Sequence, residues 1–262
     1  MEFHFAARRL MASLSSALLF LLSACATPPS DPAARADWEA MNDPLEPMNR
    51  DIFQFNQYLD RYLIKPVSLG YLHIVPQFAR DSIRNFLRNL GEPVIFANDM
   101  MQGEFHAANL SAARFLINST FGVGGLMDVA SKTGVERQTG DFGQTLYSWG
   151  APEGPYLVLP VFGPSNPRDA IGMGVDGVMD PFDYLAGAYG AGNSASISRL
   201  AASGIDLRSR NIDTLDDLQR NAIDYYAEMR SLSRQHRAEE LRHGRPAPLP
   251  NLDTGGDSGS KP

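Results

Sequence analysis

Cysteine is nearly absent: the 262-residue chain has one, Cys25. That excludes a disulfide framework and a cysteine-based zinc cluster. Long apolar runs are scarce as well. Leu10 to Leu22 is apolar, but Ser13, Ser15 and Ser16 thin it, and a spanning helix needs about 20 strongly apolar residues. Phe115 to Ala130 comes closest elsewhere, and Gly122, Gly124 and Gly125 interrupt it. Positive charge is in short supply: 23 Lys and Arg against 30 Asp and Glu give a net charge of −7, which disfavours nucleic-acid binding. His73, His106, His236 and His243 stand in no metal-binding spacing, and no serine occupies a GxSxG elbow. Neither metal, cofactor nor catalytic residue is expected, and the chain is read as a non-enzyme.

What is present begins at the N-terminus. Arg8 and Arg9 form a short positive region ahead of the apolar stretch, the pattern of a secretory signal. Leu22-Ser23-Ala24-Cys25 looks like a bacterial lipobox, with small residues where a peptidase must approach the backbone and a cysteine whose thiolate attacks the lipid donor. Residues 1–24 are therefore expected to be removed and Cys25 lipidated, the alternative being an ordinary secreted protein with an incidental cysteine. Each buried acyl methylene contributes about 0.8 kcal/mol, so two or three chains anchor firmly. Cleavage takes away Glu2, Arg8 and Arg9, leaving the mature chain near −8. Position 26 is Ala and not Asp, which under the enteric sorting rule implies the outer membrane.

Residues 25–42 are rich in Pro, Ala, Ser and Asp and read as a flexible tether. Residues 243–262 read as a disordered tail. Between them, 43–242 is mostly helical in pattern, so the fold class is all-α. Asp43 and Glu46 with Pro44 resemble a capping-box start. Met48, Ile52, Phe55, Leu59 and Tyr62 follow at helical spacing, and the helix is expected to stop before Pro66. A second helix is expected over 76–90, with Ala79, Ile83, Phe86, Leu87 and Leu90 inward and Gly91 as its stop. A third begins at Pro93 and ends near Gly103, a fourth covers 105–119, and a C-terminal one starts near Asp213. The Gly/Pro-rich middle holds one apolar run, Tyr156 to Phe162, which is a short strand or, given its prolines, an extended loop.

Three motifs need weighing. Gly172-Met173-Gly174-Val175-Asp176-Gly177 matches GxGxxG, but a turn precedes it and Asn193 holds the position of the required acid. Close packing or a lipid-facing bend explains it better. Arg80, Arg84 and Arg88 form a stripe at four-residue spacing. It is either a solvated face or a contact for anionic headgroups, where each charge adds about 1 kcal/mol. Phe121, Gly122, Val123, Gly124, Gly125, Leu126 and Met127 place glycines between apolar residues in the least charged stretch. That is either a tight buried turn or a mobile apolar hairpin beside a lipid pathway.

Residues spread along most of the mature chain resemble the MlaA (VacJ) family of outer-membrane lipoproteins. Asp43-Pro44-Leu45-Glu46, Asn49-Arg50 and Phe55-Asn56 look like the family's opening, followed by Lys65-Pro66-Val67, Asn89-Leu90 with Glu92-Pro93, and Arg114 to Thr120. Asp141 to Leu146, Gly154 to Pro160 and Gly163-Pro164-Ser165 with Arg168-Asp169 continue the match. The resemblance implies a ring-like assembly of amphipathic helices lying in the outer membrane, without a transmembrane β-barrel, around an amphipathic channel. It implies removal of phospholipid from the outer leaflet, handover to a soluble periplasmic carrier, association with a trimeric porin, and no bound cofactor. Cys25 would carry the lipid, Phe121 to Met127 would form the channel gate, and Phe55 and Asn56 would help hold it closed. The competing readings are a structural porin partner and an outer-membrane lipid hydrolase.

Overall fold

The computed structural model describes Asp31 and residues 43–242. The expected signal segment, Cys25, the rest of the expected tether and the expected tail with His243 lie outside the described residues. Helix α1 (Glu46–Leu59) passes through a π-helical turn (Asp60–Ile64) into α2 (Lys65–Ile74). Then come α3 (Gln77–Gln102), α4 (Phe105–Thr120), α5 (Val129–Lys132) and α6 (Phe142–Ser148). Strands β1 (Leu157–Leu159) and β2 (Gly163–Ser165) precede α7 (Pro167–Met179), α8 (Pro181–Ala188), α9 (Gly192–Arg210), α10 (Ile212–Asn221) and α11 (Tyr225–Leu241).

Several boundaries differ from the sequence expectations, each for a local reason. The helix does not stop before Pro66. The Lys65 amide reaches the Asp60 carbonyl five residues back, which resets the ladder just where Pro66 offers no N–H. Asp43 does not cap α1, whose first turn holds Pro47 and not Pro44. Its buried carboxylate instead accepts from Asn49 Nδ2 at 2.7 Å, Arg230 Nη1 at 2.9 Å and the Tyr226 hydroxyl. Gly91 does not end a helix and Pro93 does not begin one: both lie inside the 26-residue α3, about 39 Å long. Antiparallel α4 is bonded to α3 on both sides of the proline. Asn89 meets Ser119 at 2.9 Å, Glu92 meets Arg114 at 3.2 Å, and Asp99 meets Ser111 at 3.0 Å. Gly103, at φ 78°, supplies the stop. The C-terminal helix is broken at Ala222–Asp224, because Asp224 caps the Ala227 amide and pairs with Arg50 at 2.6 Å.

The apolar run at 156–162 is partly strand. β1 and β2 are antiparallel, with Leu157 opposite Ser165 and Leu159 opposite Gly163. Pro160 falls in the turn, and Pro164 lies in β2, which pairs with β1 alone. The other edge of β1 is held by two asparagines of α1, seven residues apart and so on one helix face. Asn49 donates to the Tyr156 carbonyl at 3.0 Å and accepts from the Val158 amide at 2.9 Å. Asn56 donates to the Leu159 carbonyl at 2.9 Å and accepts from the Val161 amide at 2.8 Å. Each carboxamide completes the ladder as a neighbouring strand would. Beneath them Phe53, Tyr156, Val158 and Tyr226 form the one apolar cluster of buried residues among those described.

Elsewhere polarity is reversed. Among the described residues, buried polar or charged side chains outnumber buried apolar ones more than twofold. The buried positions of α3 are Asn89, Glu92, Ile95, Asn98 and Asp99, not the apolar face expected; Phe86 is exposed and Ala79, Ile83, Leu87 and Leu90 are only half-buried. Met48, Phe55 and Tyr62 of the first helical stretch also point out, as do Ile74, Phe78 and Tyr189, each at least three-quarters exposed. Such an exterior is unfavourable in water and favourable against lipid. Replacing Asn49 with Ala should cost at least about 2 kcal/mol, because two buried backbone groups and Asp43 lose a partner. Asn56→Ala should cost less, since the Val161 amide is exposed. Thermal unfolding in detergent measures both.

Candidate functional site: a charged pocket beneath a glycine hairpin

Residues 121–128 leave α4 and fold back on it. The Phe121 amide donates to the Ile117 carbonyl at 2.8 Å, Gly125 to Asn118 at 2.9 Å, and Met127 to Gly122 at 2.9 Å. Gly124 and Gly125 take φ values of 68° and 95°. Glycine is needed at 125 for a second reason: a Cβ there would stand 2.7 Å from the Cβ of Asn89. Val123 sits at φ 55°, a conformation that costs a non-glycine residue on the order of 1–3 kcal/mol. The side chains of Phe121, Val123, Leu126 and Met127 are exposed. The hairpin thus turns apolar groups outward over a polar base.

That base is built around Arg114, which is buried. Its Nε meets Glu92 at 3.2 Å, its Nη2 meets both carboxylate oxygens of Asp128 at 3.0 Å, and its Nη1 meets Ser131 Oγ at 3.1 Å and the Val135 carbonyl at 2.7 Å. Asn118 donates to Asp128 at 3.2 Å and accepts from the Ala130 amide at 2.9 Å. The two carboxylates respond oppositely. Burial pushes the Asp128 carboxyl up, but hydrogen bonds from Ser131 and Arg114 outweigh it and hold the group at about 2. Burial dominates for Glu92 and pushes it up despite Arg114; its second oxygen has no partner. Nearby Asp99 is pushed up to about 6, chiefly by burial.

Of the arginine stripe, two members are engaged by the protein itself. Arg80 donates to the Leu72 and Val75 carbonyls at 2.8 and 2.9 Å. Arg84 makes a forked contact with Asp206 at 3.1 and 3.2 Å. Arg88 lines the pocket with Asn85, Asn89, Glu92, Asn118 and Asp128, and so lies beside the hairpin. Phe55 and Asn56 belong to another neighbourhood: Asn56 is bonded to the β1–β2 turn and Phe55 is exposed. Gly172 to Gly177 lies inside α7, not at a strand-to-helix turn, and Gly172 packs on the backbone of Gly143. Among the described residues no group of three His, Cys, Asp or Glu side chains is placed to hold a metal ion. The residues missed from sequence are Arg137 and Arg210, whose charges act on Arg88 from distant segments.

The described part is thus a largely helical protein with many large apolar side chains exposed and a mostly polar buried interior, and with no helix long and apolar enough to cross a membrane. The chain belongs to the MlaA lipoprotein family, whose family model matches residues 41–240. It is 33% identical over 214 residues to the intermembrane phospholipid transport system lipoprotein MlaA of Escherichia coli K12, covering 80% of each chain. The Haemophilus influenzae protein of the same name is 34% identical, covering 78% of this chain and 81% of that one. An uncharacterised protein of Rickettsia felis is 35% identical over 76% of each. A chain solved in work on the structural basis for maintenance of bacterial outer membrane lipid asymmetry superposes with a TM-score of 0.68 at 33% identity, covering 76% of this chain and 98% of that one.

Two outcomes follow from the charges. Arg114→Met should cost about 3–5 kcal/mol, because it strands buried carboxylates; the unfolding midpoint in detergent reads this directly. Asp99 titrates above the ordinary carboxylate range, so its ionisation opposes folding. The penalty is full above about pH 6 and fades as pH falls towards 4. Asp99→Asn should therefore add about 2–3 kcal/mol at pH 7 and nothing at pH 4, as a pH series of unfolding curves would show.

Proposed function

We propose that this chain is a lipoprotein of the outer membrane, anchored through acylated Cys25, that withdraws phospholipid from the outer leaflet and passes it to a soluble periplasmic carrier. The observation that carries this reading is the reversed polarity. A phospholipid has a charged head and apolar tails, so a path for it needs a polar lane beside apolar walls. A polar, arginine-bearing interior within an apolar exterior supplies both, and helices that lie in the bilayer need no spanning segment. The names of the Escherichia coli and Haemophilus influenzae relatives, lipoproteins of a phospholipid transport system, support the same reading.

In this scheme residues 1–24 are the export signal, 25–42 the tether, 43–242 the working domain and 243–262 a tail. The protein moves lipid down a gradient maintained by its partners and catalyses no covalent step. The Phe121–Met127 hairpin gates the lane, and the exposed apolar face meets lipid and a trimeric porin. Phe55 and Asn56 brace the lane from the β-turn side.

Labelling of surface-exposed headgroups on intact cells tests this. Deleting the protein should raise outer-leaflet phospholipid; the wild type should reverse the rise, and Cys25→Ala should not. Unchanged labelling in the deletion strain would remove the lipid-withdrawal role.

A further inference from the structure

A cavity of about 300 Å³ opens where the end of α2, the start of α3 and the end of α9 meet, and its lining includes Leu72, Gln77, Arg80, Asp81, Arg84 and Arg210. That volume is at the small end of the usual range for a ligand pocket. The four residues from α3 are spaced by three, one and three, so they occupy one face of that helix. Three of the lining side chains are arginines and one is a carboxylate. Arg80 and Arg84 are half-buried and Arg210 is exposed, so a small group can reach them from solvent.

The three guanidiniums differ in how far the protein uses them. Arg84 is fully engaged: its Nε and Nη2 go to Asp206 at 3.1 and 3.2 Å, and its Nη1 goes to Asp81 at 2.9 Å. Arg210 gives only its Nε, at 3.1 Å, to the same Asp206 oxygen that Arg84 Nε uses. Arg80 gives only its Nη1, to the Leu72 and Val75 carbonyls. Those carbonyls close the last turn of α2, so Arg80 is in part a cap. A cap of this kind leaves its charge uncompensated. Among the described residues no carboxylate pairs with Arg80, and neither the Arg80 Nη2 nor the two Nη groups of Arg210 have a hydrogen-bond partner. Three arginines therefore stand against two carboxylates, Asp81 and the buried Asp206, and the surplus charge is positive.

Surplus positive charge in a partly desolvated cavity is stabilised when an anion joins it. A guanidinium presents its N–H groups as a flat fork that fits two phosphate oxygens. We infer that this cavity binds a phosphate group through the unused N–H groups of Arg80 and Arg210, with Arg84 held in place beside them by Asp206 and Asp81. A phospholipid headgroup and free phosphate share this chemistry; that a lipid is its source rests on the transport reading above. Ile74 and Phe78, both at least three-quarters exposed at the same corner between α2 and α3, then offer apolar surface to the acyl chains. Recognition falls on the phosphate, the one charged group common to phospholipids, and not on the chains.

The test uses the purified full chain in a neutral detergent, with short-chain phosphatidylglycerol, the diacylglycerol bearing the same chains, and inorganic phosphate as ligands. Wild type should bind phosphatidylglycerol at least about tenfold more tightly than the diacylglycerol, which lacks the charge-assisted hydrogen bonds, and inorganic phosphate should compete. Arg210→Gln, a change at an exposed position, should weaken phosphatidylglycerol binding about tenfold and leave diacylglycerol binding unchanged. Arg80→Gln should do the same. If loss of the cap unfolds that variant, Arg80→Lys keeps the charge, loses the fork and should bind with intermediate strength. Arg220→Gln, outside the cavity in an exposed pair with Asp217, should bind like wild type. Undiminished phosphatidylglycerol binding by folded Arg210→Gln overturns the site while leaving lipid transport standing. So does a wild type that binds both lipids equally, or that binds neither lipid nor phosphate. Binding of inorganic phosphate without lipid supports the anion site and assigns it to free phosphate. The surface-labelling experiment judges the transport reading separately.

Discussion

The side chain of Arg114 holds together segments that would otherwise only touch. It joins the middle of α3 through Glu92, the hairpin through Asp128, the short α5 through Ser131 and the following turn through Val135. A buried ion pair is seldom a net source of stability, because desolvation offsets the attraction. Its value here is specificity. The alternatives available to a slipped α3–α4 hairpin all leave a charge unpaired in a place of low dielectric, so one register is favoured strongly over its neighbours.

The same logic explains the interior at large. A protein whose outer surface is apolar cannot use a large apolar core to set inside against outside. The apolar cluster around Phe53 and Tyr226 is small, and hydrogen-bonded carboxamides and ion pairs take over the role. Asn49 and Asn56 act as a side-chain strand along β1. Arg237 ties α11 to Asp141 and Asp169 with distances of 2.7 to 3.0 Å. Arg208 joins the π-helical turn to α10 through Asp60 and Asp216. Directional bonds of this kind fix geometry without demanding a tightly filled core.

The helical character and most helix positions were legible in the sequence, because 3.6-residue periodicity survives whichever face is buried. The facing was not. Periodicity locates a stripe and says nothing of the solvent it meets, so Phe86, expected inward, is exposed. Gly91 and Pro93 were misread as boundaries, since bonds from residues 22 and 12 positions away hold the helix across them. Asp43 was misread as a cap because its partners, Tyr226 and Arg230, come from the other end of the chain. The glycine hairpin and Arg88 could be singled out from local pattern alone. The partners of Arg114 could not, because only the fold brings Glu92, Asp128, Ser131 and Val135 to it.

The central claim is that the exposed apolar surface lies in lipid while the cavity of about 300 Å³ lined by Arg80, Arg84 and Arg210 is wet. Single-cysteine variants carrying a spin label, reconstituted in bilayers, test it most directly through collision with oxygen and with a water-soluble nickel complex. Labels at Ile74, Phe78 and Ile197 should be reached by oxygen and shielded from nickel, and a label at Gln77 or Arg210, which line the cavity, should show the opposite. Nickel access equal at both sets of positions would contradict the account, since the apolar exterior would then be facing water.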